Sequence, residues 1–471
     1  MKNLCCNNDH YKTLIRLVFF VAIILRIGLS IVNREANDDH FAVIKKIENE
    51  GKLPILTDCW ECFHPKLYHS FVATILKVHP FKSFREQIML AQFLNCIAGI
   101  ITIYIVWLFL SNRAVTDKIK FICFSMVALN PKLISINAQA TNDSFVILFS
   151  TAALYFTYHF FVTKRFKNFL GMTIFTVLAG LSKGNGLVLF PGILIIFIFK
   201  LLKTKNFSLT LKKGYLLYLL IFSFVSLTLI PSFGQYWYNY RHFGSPFVIN
   251  QNKDPFPLFF KNTYYKRPGV TSILSSYFTF RFFDLIAHPT VTNDAKIYPL
   301  HRTSLWSQLY GRTHFVYFDM WPPSWQTKNE IILNIGRFIF ILALIPSFVL
   351  LLGIIKKVSV WVIAVIKYKF DFIENSNDWV FDIFFIAYTS FIIVLTLMHR
   401  EFSFMKAIYL FPGILPVVYL FLEGMGCLSR IYDKNIKFRL CFDSIFGLLF
   451  FSYFLISISL IYKLSGWIVL A

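Results

Sequence analysis

The sequence has little charge for its length, and this scarcity excludes an ordinary soluble domain. Only 15% of the 471 residues are Asp, Glu, Lys or Arg, whereas about 25% is usual in a soluble domain. Hydrophobic residues make up 56% of the chain, and Phe alone accounts for 56 residues. Depleted charge together with excess apolar residues indicates a membrane protein.

Acidic residues are the scarcer kind, since 24 Asp and Glu stand against 47 Lys and Arg. The resulting net charge of +23 does not predict a nucleic-acid partner, because the basic residues form short clusters between apolar stretches and not one basic patch. The eight Cys show no repeated ligand spacing, so no structural zinc module is predicted.

Internal repeats and low-complexity tracts are absent from the sequence, which weakens the case for a transporter built from inverted repeats. The first apolar run, 14–32, has a basic start but no small-residue cleavage site after it. We therefore expect a retained membrane span there and not a signal peptide.

Long apolar runs are abundant, and they predict an all-α polytopic membrane protein. A span needs about 20 mostly apolar residues, and eleven segments qualify, some of them only as hairpin pairs. They are 12–32, 87–111, 119–137, 143–162, 168–181, 185–203, 214–232, 331–355, 379–398, 407–424 and 443–468. The run 64–79 is too short and too rich in His and Lys, and it is expected to lie flat at the interface.

Lys and Arg concentrate in alternate loops, for example in 113–120, 164–167 and 200–213. The positive-inside rule then predicts a cytoplasmic N-terminus and two large extracytoplasmic loops, 33–86 and 233–328. We divide the chain into an N-terminal membrane module (1–232), the second outer loop (233–328) and C-terminal membrane helices (329–471). A bacterial inner membrane is favoured, with the endoplasmic reticulum membrane as the alternative.

Two adjacent carboxylates, Asp38 and Asp39, follow the first predicted span. One of them could accept a proton from a hydroxyl group while the other holds a substrate or a cation. The alternative is the solvated start of an amphipathic helix, where Asp is a common capping residue.

The same outer loop contains Cys59, Cys62 and then His64 to Tyr68. A Cys-x-x-Cys pair outside the cytoplasm could be a disulfide, a redox pair or half of a metal site. A structural role or free thiols are favoured here, because no second outer Cys pair accompanies it.

Further polar groups project to the same predicted face. Asp143 opens the fourth span, and Lys183 lies in a glycine-rich turn that does not have the spacing of a nucleotide P-loop. Arg241, Arg400 and Lys406 also lie at outer span ends, where positive charge is otherwise scarce. Binding an anionic lipid phosphate would explain these cations, and ordinary interfacial anchoring is the alternative.

The first outer loop resembles that of the C-type glycosyltransferase superfamily, in its protein O-mannosyltransferase and aminoarabinose transferase-like branch. Those proteins carry an Asp-Glu pair, matched by Asp38 and Asp39, and a His-Pro-Pro-Leu-Tyr-like stretch, matched by 64–68. Lys66 stands where the family has its second Pro, a departure expected to affect the loop geometry.

Later segments match in order as well. Asp143 matches an Asp that opens the fourth span, and 180–186 loosely matches a glycine-rich hairpin containing a Lys. The stretch from Lys406 to Pro412 matches a late basic-Tyr-x-x-Pro entry into a span. The resemblance is good over about 10–200 and extends to the rest in outline.

The resemblance implies a polyprenyl- or dolichyl-phosphate sugar donor, inverting transfer and a protein, lipid or glycan acceptor at the outer face. It makes Asp38 the expected catalytic base with Asp39 open as the alternative, and Asp143 a supporting residue. The expected substrate-binding residues are His64, Lys183, Arg241, Arg400 and Lys406. A divalent cation assists some members of the superfamily, and the sequence leaves the metal question open.

Two other functions remain open at this point. A lipid-glycan ligase or polymerase also has many spans and a large outer loop, but it would rely on Arg and His in late loops and not on the early Asp pair. A lipid or solute transporter or flippase would place charges within its spans. Arg26, Arg337 and Asp382 lie in or near spans without a matched pairing.

Overall fold

The computed structural model describes residues 8–78, 83–203, 209–248, 273–292, 299–367, 377–398 and 404–466, and within these ranges the regular structure is helical. The helices are α1 Asn8–Val32, α2 His40–Glu50, α3 Leu67–Val78, α4 Phe84–Ser111, α5 Asp117–Ala128, α6 Pro131–Asn137, α7 Asp143–Thr163, α8 Phe166–Ser182, α9 Leu189–Lys203, α10 Leu209–Phe233, α11 Tyr236–Phe243, α12 Ile273–Tyr277, α13 Phe282–Ala287, α14 Leu305–His314, α15 Glu330–Leu342, α16 Leu344–Ile366, α17 Trp379–Met398, α18 Ile414–Lys434 and α19 Ile436–Leu464.

The predicted all-α polytopic architecture is confirmed. Within the described ranges, nine helical segments are long and apolar enough to cross a membrane, or ten if the bent pair α5 and α6 is one span. The predicted number of eleven is not confirmed, because α8 has only 17 residues, fewer than the about 20 that a full crossing needs. The predicted span 331–355 is part of a longer helical segment, Glu330–Ile366, interrupted at Ala343.

A bend of 49° separates α5 from α6 within the predicted span 119–137. Pro131 has no N–H to continue the helix, and Asn130 caps α6 by accepting a hydrogen bond from the N–H of Leu133. The buried guanidinium of Arg26 donates to the Ala128 carbonyl and to Asn137 Oδ1, both at 2.9 Å. Arg26 therefore satisfies a polar group at the C-terminal end of each helix of the bent pair, which explains a charge inside the first span.

Two helices in the C-terminal part of the chain touch through their backbones. A Cβ atom built on Gly353 of α16 would lie 1.9 Å from the Leu420 carbonyl oxygen, and one on Gly424 of α18 would lie 1.9 Å from the Val349 carbonyl oxygen. Since a side chain at either position would collide with backbone, only glycine permits this crossing.

Candidate active site

A cavity of about 820 Å³ lies between the first outer segment, the breaks after α6 and α8, and the segment that leads into α18. Four of its lining side chains, Asp38, His40, Glu61 and His64, form what we call the acidic wall. A second group of lining side chains, which we call the basic wall, consists of four cations and two carboxylates. The cations are Lys132, Lys183, Arg312 and Lys406, and the carboxylates are Asp143 and Asp319. The cavity thus joins five of the residues expected from the sequence, namely Asp38, His64, Asp143, Lys183 and Lys406.

Hydrogen bonds from the second outer loop hold the segment that carries Asp38. Asn37 adopts a left-handed conformation with φ 68°, which Asn tolerates better than most residues. The indole Nε1 of Trp321 donates to the Asn37 carbonyl at 2.5 Å, and the hydroxyl of Ser324 donates to Glu35 Oε2 at 2.7 Å. The half-buried Asp38 carboxylate therefore has a defined position at the cavity wall.

Asp39 differs from its neighbour because its side chain is exposed and does not line the cavity. It occupies the N-cap position of α2 but accepts no capping hydrogen bond, so the capping alternative is not realised through its side chain. Burial of its carboxyl, together with the charges of Asp38 and Glu61, raises the pKa of Asp39. Of the two adjacent acids, only Asp38 faces the cavity.

A compact group of titratable side chains lies beside Asp38. His64 Nε2 is 3.0 Å from Glu61 Oε2, and His40 Nδ1 is 3.0 Å from His69 Nε2. Burial lowers the pKa of His40 to about 4 and that of His64 well below its usual range. These imidazoles are therefore neutral at physiological pH.

The loop that presents Glu61 and His64 is closed by a disulfide between Cys59 and Cys62, which is the structural role favoured for this pair. The buried ammonium group of Lys66 donates to the carbonyls of Cys62 and His64, both at 2.5 Å. Burial lowers the pKa of Lys66 to about 7. The ammonium group of Lys66 therefore stabilises the loop by hydrogen bonding to two of its carbonyls.

Asp143 and Lys183 form an ion pair in the basic wall, with Lys183 Nζ 2.6 Å from Asp143 Oδ1. The pair joins the first residue of α7 to the break after α8, where Asn142 also donates to the Ser182 carbonyl at 3.0 Å. Burial alone would lower the pKa of Lys183, but the Asp143 carboxylate outweighs it and raises the pKa. Lys183 is therefore fully charged at the cavity wall.

A second ion cluster of the basic wall comes from segments far apart in the chain. Asp319 accepts from Lys132 Nζ at 2.5 Å and lies 3.1 Å from Arg312 Nε. Although burial alone would raise the pKa of Asp319, Arg312 and Lys132 lower it to about 2. Lys406 also acts on Asp319, and it forms no ion pair with any residue that the structure describes. The basic wall thus holds four cations and two carboxylates, and Asp38 and Glu61 of the acidic wall bring the cavity to four carboxylates in all.

The remaining two expected cations are Arg241 and Arg400. Arg241 is exposed on α11, where its guanidinium lies over the Trp237 ring at 5.0 Å from the centroid. Arg400 lies outside the described residues. Their assignment to the lipid phosphate stays a prediction.

The sequence analysis missed Arg312 and Asp319 as site residues. Their partner Lys132 is 187 positions away from Asp319, so no local motif links them. The second outer loop contains many other charged residues, so its sequence offers no signal that singles out these two.

The apolar helices define an all-α polytopic membrane protein, and its charged cavity lies at the ends of several of these helices. Residues 68–230 match the model of the dolichyl-phosphate-mannose-protein mannosyltransferase family, a domain of the C-type glycosyltransferase superfamily. The match confirms the resemblance drawn from the motifs and supports a membrane glycosyltransferase of this type. It includes Asp143 and Lys183, whereas Asp38 precedes it. A search of curated proteins finds no match to the chain.

Proposed function

We propose that the chain transfers a sugar from a polyprenyl- or dolichyl-phosphate donor to an acceptor at the extracytoplasmic or lumenal face, with inversion at the anomeric carbon. One observation carries the proposal: a single cavity is lined both by a carboxylate without a described ion pair, Asp38, and by four cations. Asp38 forms no ion pair with a described residue, whereas Asp143 and Asp319 each have cationic partners.

The chemistry follows from these charges. Asp38 accepts the proton of an acceptor hydroxyl while the oxygen of that hydroxyl forms a bond to the anomeric carbon. The bond from that carbon to the lipid phosphate breaks, and the phosphate leaves with the electron pair. The cations of the basic wall stabilise the negative charge that develops on the leaving phosphate oxygen.

The cavity also offers an apolar side suited to an isoprenoid chain. Leu187, Val188 and Pro191 come from the start of the α9 span, and Phe391, Val394 and Leu395 come from α17. An amphiphilic donor would place its phosphate at the basic wall and its lipid between these helices.

The Cys59–Cys62 disulfide supports the proposed face, because disulfides persist in oxidising compartments and are rare in the cytosol. The same loop carries Glu61 and His64 at the cavity. This agrees with a cytoplasmic N-terminus and an outer first loop, as the distribution of Lys and Arg predicts.

An in vitro assay tests the proposal directly. The purified chain in liposomes receives polyprenyl-phosphate mannose labelled in the sugar, and both transferred label and released polyprenyl phosphate are measured. We expect transfer that requires Asp38. Movement of intact lipid-linked sugar across the bilayer, with no release of lipid phosphate from any sugar donor tested, would favour a flippase and contradict the proposal.

A further inference from the structure

The acidic wall contains three side chains that can meet at one point. One ligand atom each from His40, Glu61 and His64 lies within 4.8 Å of the others. His40 begins α2, whereas Glu61 and His64 come from the disulfide-closed loop. Ligand atoms in a tetrahedral zinc site lie about 3.3 Å apart, given bond lengths of about 2.0–2.1 Å. The 3.0 Å contact between His64 Nε2 and Glu61 Oε2 is already near that spacing.

His69 contacts one ring nitrogen of His40 and leaves the other available to a metal. His40 Nδ1 lies 3.0 Å from His69 Nε2, so one of these two nitrogens carries the hydrogen between them. In the tautomer in which His40 Nδ1 donates this hydrogen, the lone pair of His40 is on Nε2. Metal-binding histidines commonly donate their other ring N–H to a second group that orients the ring.

The group is also rigid before any ligand binds. The His40 ring stacks between His64 and His69, with a centroid separation of 5.2 Å on each side. Cys59–Cys62 and the buried Lys66 ammonium hold the loop that carries the other two groups. A preformed site loses little conformational entropy on binding.

We propose that His40, Glu61 and His64 bind one divalent transition-metal ion of the zinc class, with an open coordination position toward the cavity. Two imidazoles and one carboxylate are a typical ligand set for zinc sites that keep a fourth position open. Magnesium and calcium prefer sets made of oxygen, so the two imidazoles favour the zinc class over both. The proposed glycosyl transfer is not a premise of this site, and its test measures bound metal.

The metal content of the purified chain is the first test. The protein carries a tag without histidine, its thiols are alkylated because Cys427 and Cys441 are exposed, and it is depleted with a chelator and then titrated with zinc. We expect one zinc ion per chain. Glu61→Gln and His64→Gln should weaken binding by about 100-fold or more, and His69→Phe should weaken it by about 10–100-fold. His242→Gln, which changes an exposed histidine outside the cavity, should bind like the wild type.

Zinc binding should also raise the unfolding temperature of the wild type, and a chelator should reverse this shift. Cobalt should give the absorption of a tetrahedral nitrogen and oxygen site. These two readings do not need the variants to fold. A wild type that binds no zinc, a cobalt spectrum with thiolate bands, or folded Glu61→Gln and His64→Gln variants with undiminished zinc would each overturn the proposal.

Discussion

The acidic and basic walls differ in whether their Asp carboxylates form ion pairs with cations. In the basic wall, Asp143 contacts Lys183, and Asp319 contacts both Lys132 and Arg312. In the acidic wall, Asp38 accepts a hydrogen bond from the N–H of Asp39 and forms no ion pair with a described residue. The carboxylates of Asp143 and Asp319 act as counterions to the cations they contact, whereas no described ion pair occupies the oxygens of Asp38. The comparison separates Asp38, the proposed base, from acids that set the charge and position of the cations.

Removing the charge from Asp38 should have the largest effect on transfer. Asp38→Asn keeps the size of the side chain and should slow transfer by about 10²–10⁴-fold, because no general base remains. The rate is measured with the labelled lipid donor on protein that elutes as a folded species. Asp39→Asn is the matched control, since its side chain is exposed, and it should retain most activity. Near-normal transfer by folded Asp38→Asn would remove Asp38 as the base.

Breaking the Asp143–Lys183 pair should cost stability. Asp143→Asn leaves a buried ammonium without its counterion, a loss of about 3–5 kcal/mol for a buried pair. Thermal unfolding in detergent measures the change. The double variant Asp143→Asn with Lys183→Met removes both charges and should recover much of that stability while donor binding stays weak. A double variant as unstable as the single one would show that the pairing is not the cause.

The basic wall can be tested through two cations in unlike surroundings. Arg312 is buried and paired with Asp319, whereas Lys406 is exposed at the cavity. Lys406→Gln should weaken donor binding by roughly 0.5–1 kcal/mol or less, as expected for an exposed charge, and should leave stability unchanged. Arg312→Gln should weaken donor binding more and also destabilise the protein. Equal donor affinity in the wild type and both variants, measured with a labelled lipid phosphate, would place the phosphate elsewhere.

A dependence of stability on pH is expected from the segment that supports the basic wall. His301 is buried, accepts from Gln308 Nε2 at 3.1 Å, donates to the His288 carbonyl at 2.9 Å and contacts the ring of Phe318, next to Asp319. Burial lowers the pKa of His301 to about 4. The unfolded chain therefore binds a proton at a pH where the folded chain does not, and the stability present above pH about 6.5 declines as pH falls toward 4.

This loss should be on the order of 3 kcal/mol, and denaturant unfolding between pH 4 and 7 measures it. His301→Gln should remove that part of the slope, whereas His242→Gln, on the exposed surface of α11, should not. An unchanged slope in His301→Gln would assign the pH dependence to other groups.

Hydropathy and local motifs predicted the features of the molecule that are determined by residues close together in the sequence. Membrane helices depend on runs of apolar residues, and Asp38, His64, Asp143 and Lys183 lie in short motifs at the ends of such runs. The bend at Asn130 and the short α8 were not predicted, because apolar composition does not report how neighbouring helices satisfy a broken backbone.

The remaining site residues depend on contacts between distant segments. Asp319 meets Lys132 over 187 positions, and Trp321 holds Asn37 over 284. No periodicity within the second outer loop indicates either contact. Asp38 and Asp39 differ in solvent exposure, and tertiary packing decides this difference as well.

The glycine crossing between α16 and α18 has a mechanical consequence for the cavity. Lys406 and Tyr409 lie in the short turns that lead directly into α18. With Gly353 and Gly424 in contact with opposing carbonyls, the two helices cannot slide past each other without a collision of their backbones. We therefore expect a movement of α16 to be transmitted through this contact to α18, and with it to these two side chains at the cavity.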